Sequence, residues 1–202
     1  MKKLLLTALF GLFAVTGFSQ TTLDVHGGMT MNNYTGMNPG PDMRVGFTVG
    51  LGVDYTLTDL WSVKTGLNFT QKGAKDKEDG IEGKLKPIYM EIPVMAAATF
   101  QIADDVKFVA NAGPYFAVGI GGKAEAADDG VSASVKLFKD DGAAKATMNR
   151  FDMGIQYGIG LEISEHYLIN LYGQNGFINP FKGYTELDGK NMTFGLSVGY
   201  KF

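Results

Sequence analysis

"RVGFTVGLGVDYTL", residues 44–57, interleaves two unlike chains. Val45, Phe47, Val49, Leu51, Val53, Tyr55 and Leu57 are apolar, whereas Arg44, Gly46, Thr48, Gly50, Gly52, Asp54 and Thr56 are polar or lack a side chain. A period of two is the signature of an extended strand, whose successive side chains leave on opposite faces. What decides the fold is which of the two faces meets water.

The same alternation recurs to the end of the chain. Phe151, Met153, Ile155, Tyr157, Ile159, Leu161 and Ile163 oppose Asp152, Gly154, Gln156, Gly158, Gly160, Glu162 and Ser164. The last twelve residues, NMTFGLSVGYKF, set Met192, Phe194, Leu196, Val198, Tyr200 and Phe202 against Asn191, Thr193, Gly195, Ser197, Gly199 and Lys201. Eight segments read as strands, at 22–32, 43–57, 61–73, 86–102, 106–122, 149–164, 167–180 and 190–202. The seventh is the least regular, with Leu168 and Tyr172 on its polar face. Tight turns at Thr58-Asp59-Leu60, Ala103-Asp104-Asp105 and Ser164–His166 alternate with longer connections at 33–42, 74–85, 123–148 and 181–189. An antiparallel, up-and-down order follows, with the short turns and both termini at one end and the loops at the other.

Four features put the apolar face outside. The polar face is rich in glycine (Gly46, Gly50, Gly52, Gly154, Gly158 and Gly160 among others), which weakens a water-facing strand but suits a lumen too narrow for large side chains. The apolar face is too bulky for that lumen. It is also aromatic at both ends: Tyr55, Trp61, Phe100, Phe108, Tyr167, Tyr200 and Phe202 by the short turns, and Phe47, Phe69, Phe116, Phe151 and Phe194 nearer the loops. Aromatic side chains concentrate at both membrane interfaces. Finally, the strands are longer than the mean globular strand and long enough to cross a bilayer when tilted. In hydrocarbon every backbone N–H and C=O needs an internal partner, so the sheet must close, first strand on last. The expected fold is all-β: an eight-stranded antiparallel up-and-down transmembrane β-barrel.

The chain has 202 residues, 45% of them hydrophobic, with 28 glycines and no cysteine. It opens MKKLLLTALFGLFAVTGFSQ, where Lys2 and Lys3 precede an apolar run, Leu4 to Val15, and then small or polar residues. This is the pattern of a cleavable secretory signal peptide over 1–20, with cleavage after Ser19 or Gln20, leaving 21–202 as one barrel domain. Losing the two lysines takes the formal charge from −3 to −5, and there is no basic block for nucleic acid. Without cysteine there can be no disulfide, thiolate metal site or lipidated N-terminal Cys.

Three stretches carry a family likeness: Tyr89-Met90-Glu91-Ile92-Pro93, Gly113-Pro114-Tyr115-Phe116 and Phe151-Asp152-Met153-Gly154. With them the mature chain resembles the small outer-membrane β-barrel proteins of Bacteroidota-type bacteria, termed "outer membrane beta-barrel domain" or "porin family" proteins. The resemblance implies residence in the bacterial outer membrane with periplasmic termini. It also implies contact with outer-membrane lipid, and with periplasmic chaperones and the barrel-assembly machinery during biogenesis. The machinery would read the C-terminal strand, with Tyr200 and Phe202 as its signal. The family is functionally mixed, so the resemblance identifies no extracellular partner.

Charges on the polar face sort by depth. Asp24, His26, Asp54, Lys64, Lys107, Glu162 and Lys201 lie towards the short turns, and Arg44, Glu91 and Asp152 towards the loops. Turn geometry sets Asp54 opposite Lys64, and closure sets Lys201 near Asp24. Both signs occur at both depths, so the expected arrangement is a structural ion-pair network filling the lumen, since pairing offsets much of the cost of burying charge. Pro93 and Pro114, which cannot donate to the ladder, predict a shared bulge or kink.

A catalytic reading finds little support. His26 points inward and His166 sits in a turn, and neither has a nucleophile in register. Asp128-Asp129-Gly130 and Asp140-Asp141-Gly142 read as turns rather than calcium loops, and no metal or cofactor site is expected. Between them Val131–Phe138 alternates again and is expected to extend the wall as β-structure, where an edge could add a partner strand. The stretch 74–86, AKDKEDGIEGKLK, balances four acids with four lysines and reads as a solvated loop. The expected role is that of a monomeric, non-enzymatic barrel with a filled lumen, whose loops serve structural, adhesion or binding functions. The alternatives are a narrow pore for small solutes and a lipid-modifying enzyme.

Overall fold

The computed structural model describes residues 20–37, 40–78, 81–128, 131–138, 148–182 and 189–202. Residues 1–19 of the expected signal segment lie outside them, as do the Asp-Gly pairs at 129–130 and 140–142. Ten strands form one sheet: β1 (Thr21–Thr35), β2 (Asp42–Thr56), β3 (Trp61–Gln71), β4 (Ala74–Glu78), β5 (Ile81–Ala103), β6 (Val106–Asp128), β7 (Val131–Lys136), β8 (Phe151–Ile163), β9 (Tyr167–Gly176) and β10 (Lys190–Lys201). Eight of them close a ring in the order β1-β2-β3-β5-β6-β8-β9-β10, each antiparallel to its neighbours. The seam runs from Asp24↔Lys201 to Thr35↔Lys190. Its backbones approach so closely that a Cβ on Gly28 would strike the Leu196 carbonyl.

The wall is inside out relative to a soluble barrel. Val45, Phe47, Val49 and Leu51 are all exposed, while Thr30, Asn32, Thr48, Gln174 and Thr193 are buried in the lumen. Aromatic side chains gather on the outer face at the short-turn end, where Tyr200 contacts the rings of His166, Tyr167 and Phe202 at 5.3, 5.8 and 5.4 Å.

Two expectations need correction. The stretch 74–86 is not an irregular loop: Lys75↔Lys84 through Glu78↔Ile81 pair β4 with the start of β5. Its charges hid a small inward face, because Ala74 is buried and Leu85 packs on the same apolar cluster. The prolines, for their part, cause no shift of register. Between β5 and β6 the pairing runs from Pro93↔Tyr115 to Ala96↔Ala112 without slippage. The shifts lie elsewhere, between Ile88 and Tyr89 and between Gln101 and Ala103. The first falls beside Gly122, whose φ of 135° is open to glycine at no steric cost. Missing N–H groups therefore leave gaps in the ladder here, and a left-handed residue accompanies the bulge.

β5 and β6 each run 23 residues, beyond the ring's rim, and β7 pairs with the far end of β6 from Lys123↔Lys136 to Asp128↔Val131. Val131–Lys136 is thus β-structure, projecting with β4 at the loop end.

Candidate functional site

The lumen holds two polar layers. In the layer near the short turns, the His26 Nδ1–H donates to Asp24 at 2.6 Å, and Nε2 lies 3.0 Å from the Asn68 side-chain oxygen. Lys64 pairs with Asp54, its direct partner across the β2–β3 hairpin. Lys201 is opposite Asp24 along the backbone, yet its ammonium crosses to both oxygens of Glu162, each at 2.9 Å. Lys107 stands 3.7 Å from Glu162 and from Glu165. A cavity of about 120 Å³ extends from Asp24, His26 and Lys64 of this layer to Asn111, Gln156 and Tyr172.

The layer nearer the loops centres on Lys72, which follows β3. Its ammonium is 2.7 Å from Glu91 and 3.5 Å from Asp152, and all three side chains are only 1% exposed. Thr70 and Gln174 donate to Glu91 at 3.0 and 3.2 Å, and Tyr115 and Asn191 donate to Asp152 at 3.1 and 2.9 Å. The ammonium also lies 4.4 Å from the Tyr115 ring centre and 5.5 Å from that of Tyr89, within cation–π range. Every hydrogen bond to the carboxylates offsets part of the desolvation cost of burying them. Arg44 stays apart: its guanidinium donates to the Lys72 carbonyl at 3.1 Å and to Gln71 at 2.8 Å, tying down the end of β3.

Over the second layer the polarity reverses. Tyr34, Tyr89, Ala117, Leu137, Phe138 and Met148 form a buried apolar cluster, with Phe181 and Leu85 against it. Phe138 occupies the space beside Gly119, where a Cβ would collide with its ring, and meets Tyr89 edge-on at 5.7 Å. Arg150 holds this cap down, donating to the carbonyls of Gly119 at 2.9 Å and of Phe138. Outside the cap, Tyr34, Met37, Ala74, Leu85, Val135 and Phe181 line a vestibule of about 480 Å³. On the projecting sheet Lys86 bonds Glu125 at 2.5 Å and holds its carboxyl below the usual carboxylate range.

Lys72 is absent from the charges anticipated above, although its signal was present: Lys64, Gly66, Asn68 and Thr70 continue by alternation to Lys72. Alternation had already put Tyr172 on the polar face, and it puts Tyr89 there from Glu91 and Tyr115 from Gly113, but aromatic side chains are the ones expected on the outer wall.

The sequence matches the family described as "Outer membrane protein beta-barrel domain" over residues 18–182. No curated protein matches it. Among solved structures the chain is similar to the attachment invasion locus protein Ail of Yersinia pestis, at 19% identity over 90% of this chain and 97% of that one, with a TM-score of 0.42. It is also similar to Neisserial surface protein A, at 11% identity over 91% and 98%, TM-score 0.48. A third is the outer membrane enzyme PagL, at 12% identity over 87% and 97%, TM-score 0.45.

Proposed function

The chain belongs to the outer membrane protein beta-barrel domain family, and we propose that in the bacterial outer membrane it acts as a sealed, non-enzymatic scaffold presenting β-structure to the cell exterior. In this reading residues 1–20 are removed on export, Tyr200 and Phe202 guide assembly, the termini face the periplasm and the β4–β5 and β6–β7 projections face outward. The observation that carries it is the stack of closures along the lumen: the Lys201–Glu162 and Lys64–Asp54 pairs, the buried Lys72–Glu91–Asp152 cluster, then the Phe138 cap. A conduit would have to break buried ion pairs at one level and an apolar cluster at the next. An eight-stranded barrel is in any case filled by its own side chains.

The catalytic alternative fares worse on geometry. Both ring nitrogens of His26 face oxygen acceptors, Asp24 and Asn68, and among the described residues no hydroxyl hydrogen-bonds to the ring. With both ring nitrogens engaged by these partners, no nucleophile is hydrogen-bonded to the ring for it to activate.

Planar-bilayer recording of the purified protein tests the seal, with no stable unitary conductance as the expected result. Stable, large openings would overturn it. Removal of 126–142 is expected to abolish surface binding by cells expressing the protein while leaving the barrel heat-modifiable on gels. Unchanged binding would remove the projecting sheet from the function.

A further inference from the structure

Beyond the ring the inner face of the projecting sheet is still apolar, and register arranges it in two rows. In the lower row Leu85 of β5 is opposite Ala124 of β6, which is opposite Val135 of β7. In the upper row Asp76 of β4 is opposite Gly83, Gly83 is opposite Ala126, and Ala126 is opposite Ala133. All of these residues line the vestibule of about 480 Å³. A narrow lumen accounts for small side chains within the ring, but these strands have left it. An antiparallel sheet with one apolar and one polar face ordinarily lays the apolar face on a core. Here Tyr34, Met37 and Phe181 face it, and they stand far enough off to leave the space open.

That opposing wall is held by its own packing. The Tyr34 and Phe181 rings meet edge-on at 5.0 Å, and a Cβ on Gly189 would strike the Met37 methyl and the Phe181 ring. Beneath, Phe138 and Tyr89 of the cap close the floor. The vestibule is therefore a pre-formed pocket between packed walls, of the size that small-molecule sites have. By the benchmark of a ~150 Å³ cavity that takes one benzene, it holds a compound of about two or three rings.

The lining restricts the chemistry of the occupant. Lys75, Lys84 and Glu125 border the pocket, but by alternation from Ala74, Leu85 and Ala124 their side chains leave from the other face of the sheet. Glu125 is bonded to Lys86. Asp76 is the one charge on the two rows, and both it and Lys84 have interactions of their own. The rows thus offer a ligand apolar contact and no unengaged charge. The pocket is on the barrel-axis side of the sheet, away from lipid, so its occupant enters from the aqueous phase at the loop end.

We propose that the vestibule is a binding site for a compact, uncharged, largely apolar small molecule, held between the Ala124, Ala126 and Ala133 surface and the rings of Tyr34 and Phe181. The cap beneath makes it a site of capture at the cell surface rather than an entrance. That role rests on the outward orientation proposed above, whereas binding to the purified protein is read whatever the orientation and whether or not the lumen conducts.

The test uses naphthol and the naphthoate anion, which share a ring system and differ in charge. The folded protein in phospholipid nanodiscs, labelled at its alanine methyl groups, is titrated with each and followed by NMR. Naphthol should shift the methyls of Ala74, Ala124, Ala126 and Ala133 along a saturating curve. Ala96, Ala98, Ala110 and Ala112, on the lipid-facing wall, should respond only in proportion to the naphthol dissolved in lipid. Naphthoate should bind more weakly by about ten-fold or more, since its carboxylate would be desolvated without a partner. A126F/A133F fills the pocket with two rings and should weaken naphthol binding by about ten-fold or more, read at Ala74 and Ala124. S134F adds a ring to the outward face of β7, opposite Glu125, and should bind like the parent. All variants should keep heat-modifiable gel migration. Absence of saturable shifts at the vestibule methyls, saturation at the wall methyls instead, or undiminished binding by A126F/A133F would overturn the site. Equal binding of naphthoate would overturn its assignment to uncharged compounds.

Discussion

Replacing Lys72 by methionine keeps most of the side-chain volume and removes the only ammonium ion-paired to Glu91 and Asp152 among the described residues. Both carboxylates are 1% exposed, so neither can recover the loss by turning to water. Removing one partner of a buried pair costs about 3–5 kcal/mol, and here a single change strands two acids, which points to the upper end of that range. Loss of the cation–π contacts with Tyr115 and Tyr89 adds about 1 kcal/mol. The neutral donors Thr70, Gln174, Tyr115 and Asn191 remain in place and limit the damage. Urea unfolding from phospholipid vesicles, followed by the fluorescence of Trp61, the sole tryptophan, reads the effect. A loss of about 5 kcal/mol lowers the midpoint by about 2 M for ordinary urea slopes. The decisive comparison is the triple variant K72M/E91Q/D152N, which keeps shape while removing every charge. It should return to within about 2 kcal/mol of the parent, a non-additivity expected only of coupled groups. A Lys72→Met protein within about 1 kcal/mol of the parent, or a triple variant no better than the single, would refute the reasoning.

Three further outcomes are expected. Leu51→Arg puts a charge on the exposed apolar wall between Phe47 and Tyr55, and should cost about 2–4 kcal/mol in vesicle-based unfolding; a neutral effect would mean that this face does not meet hydrocarbon. Gly28→Ala forces a Cβ against the Leu196 backbone at the seam and should cost about 1–3 kcal/mol, visible as incomplete heat-modifiable folding. Ser164 and Glu165 hold φ of 52° and 63° in the β8–β9 turn, a conformation that Asn-Gly adopts more readily. S164N/E165G should therefore raise stability by about 1 kcal/mol, measured in the same urea assay.

How far the fold was legible depended on how far each contact reached. The pairing of Asp54 with Lys64 follows from counting outwards from the Thr58-Asp59-Leu60 turn, and the seam at Asp24↔Lys201 follows from closure. The partner of the Lys201 ammonium does not: Glu162 belongs to β8, two strands away, and is reached past β9. In 74–86 charge balance drew attention to the outward residues, while Ala74 and Leu85, on which the pairing rests, looked unremarkable.

By itself the sequence determined the eight strands of the ring, their inside-out faces, the closure of the ring and the end at which the loops emerge. Those properties are encoded by a period of two and by the rule that no backbone polar group goes unpaired in hydrocarbon, and both act on residues adjacent along the chain or across one turn. Only the tertiary structure decided that Lys72, Glu91 and Asp152 share one buried site and that Phe138 packs in an apolar cluster above them. Each of these joins residues from separate strands, whose relative height is set by register and bulges around the whole ring.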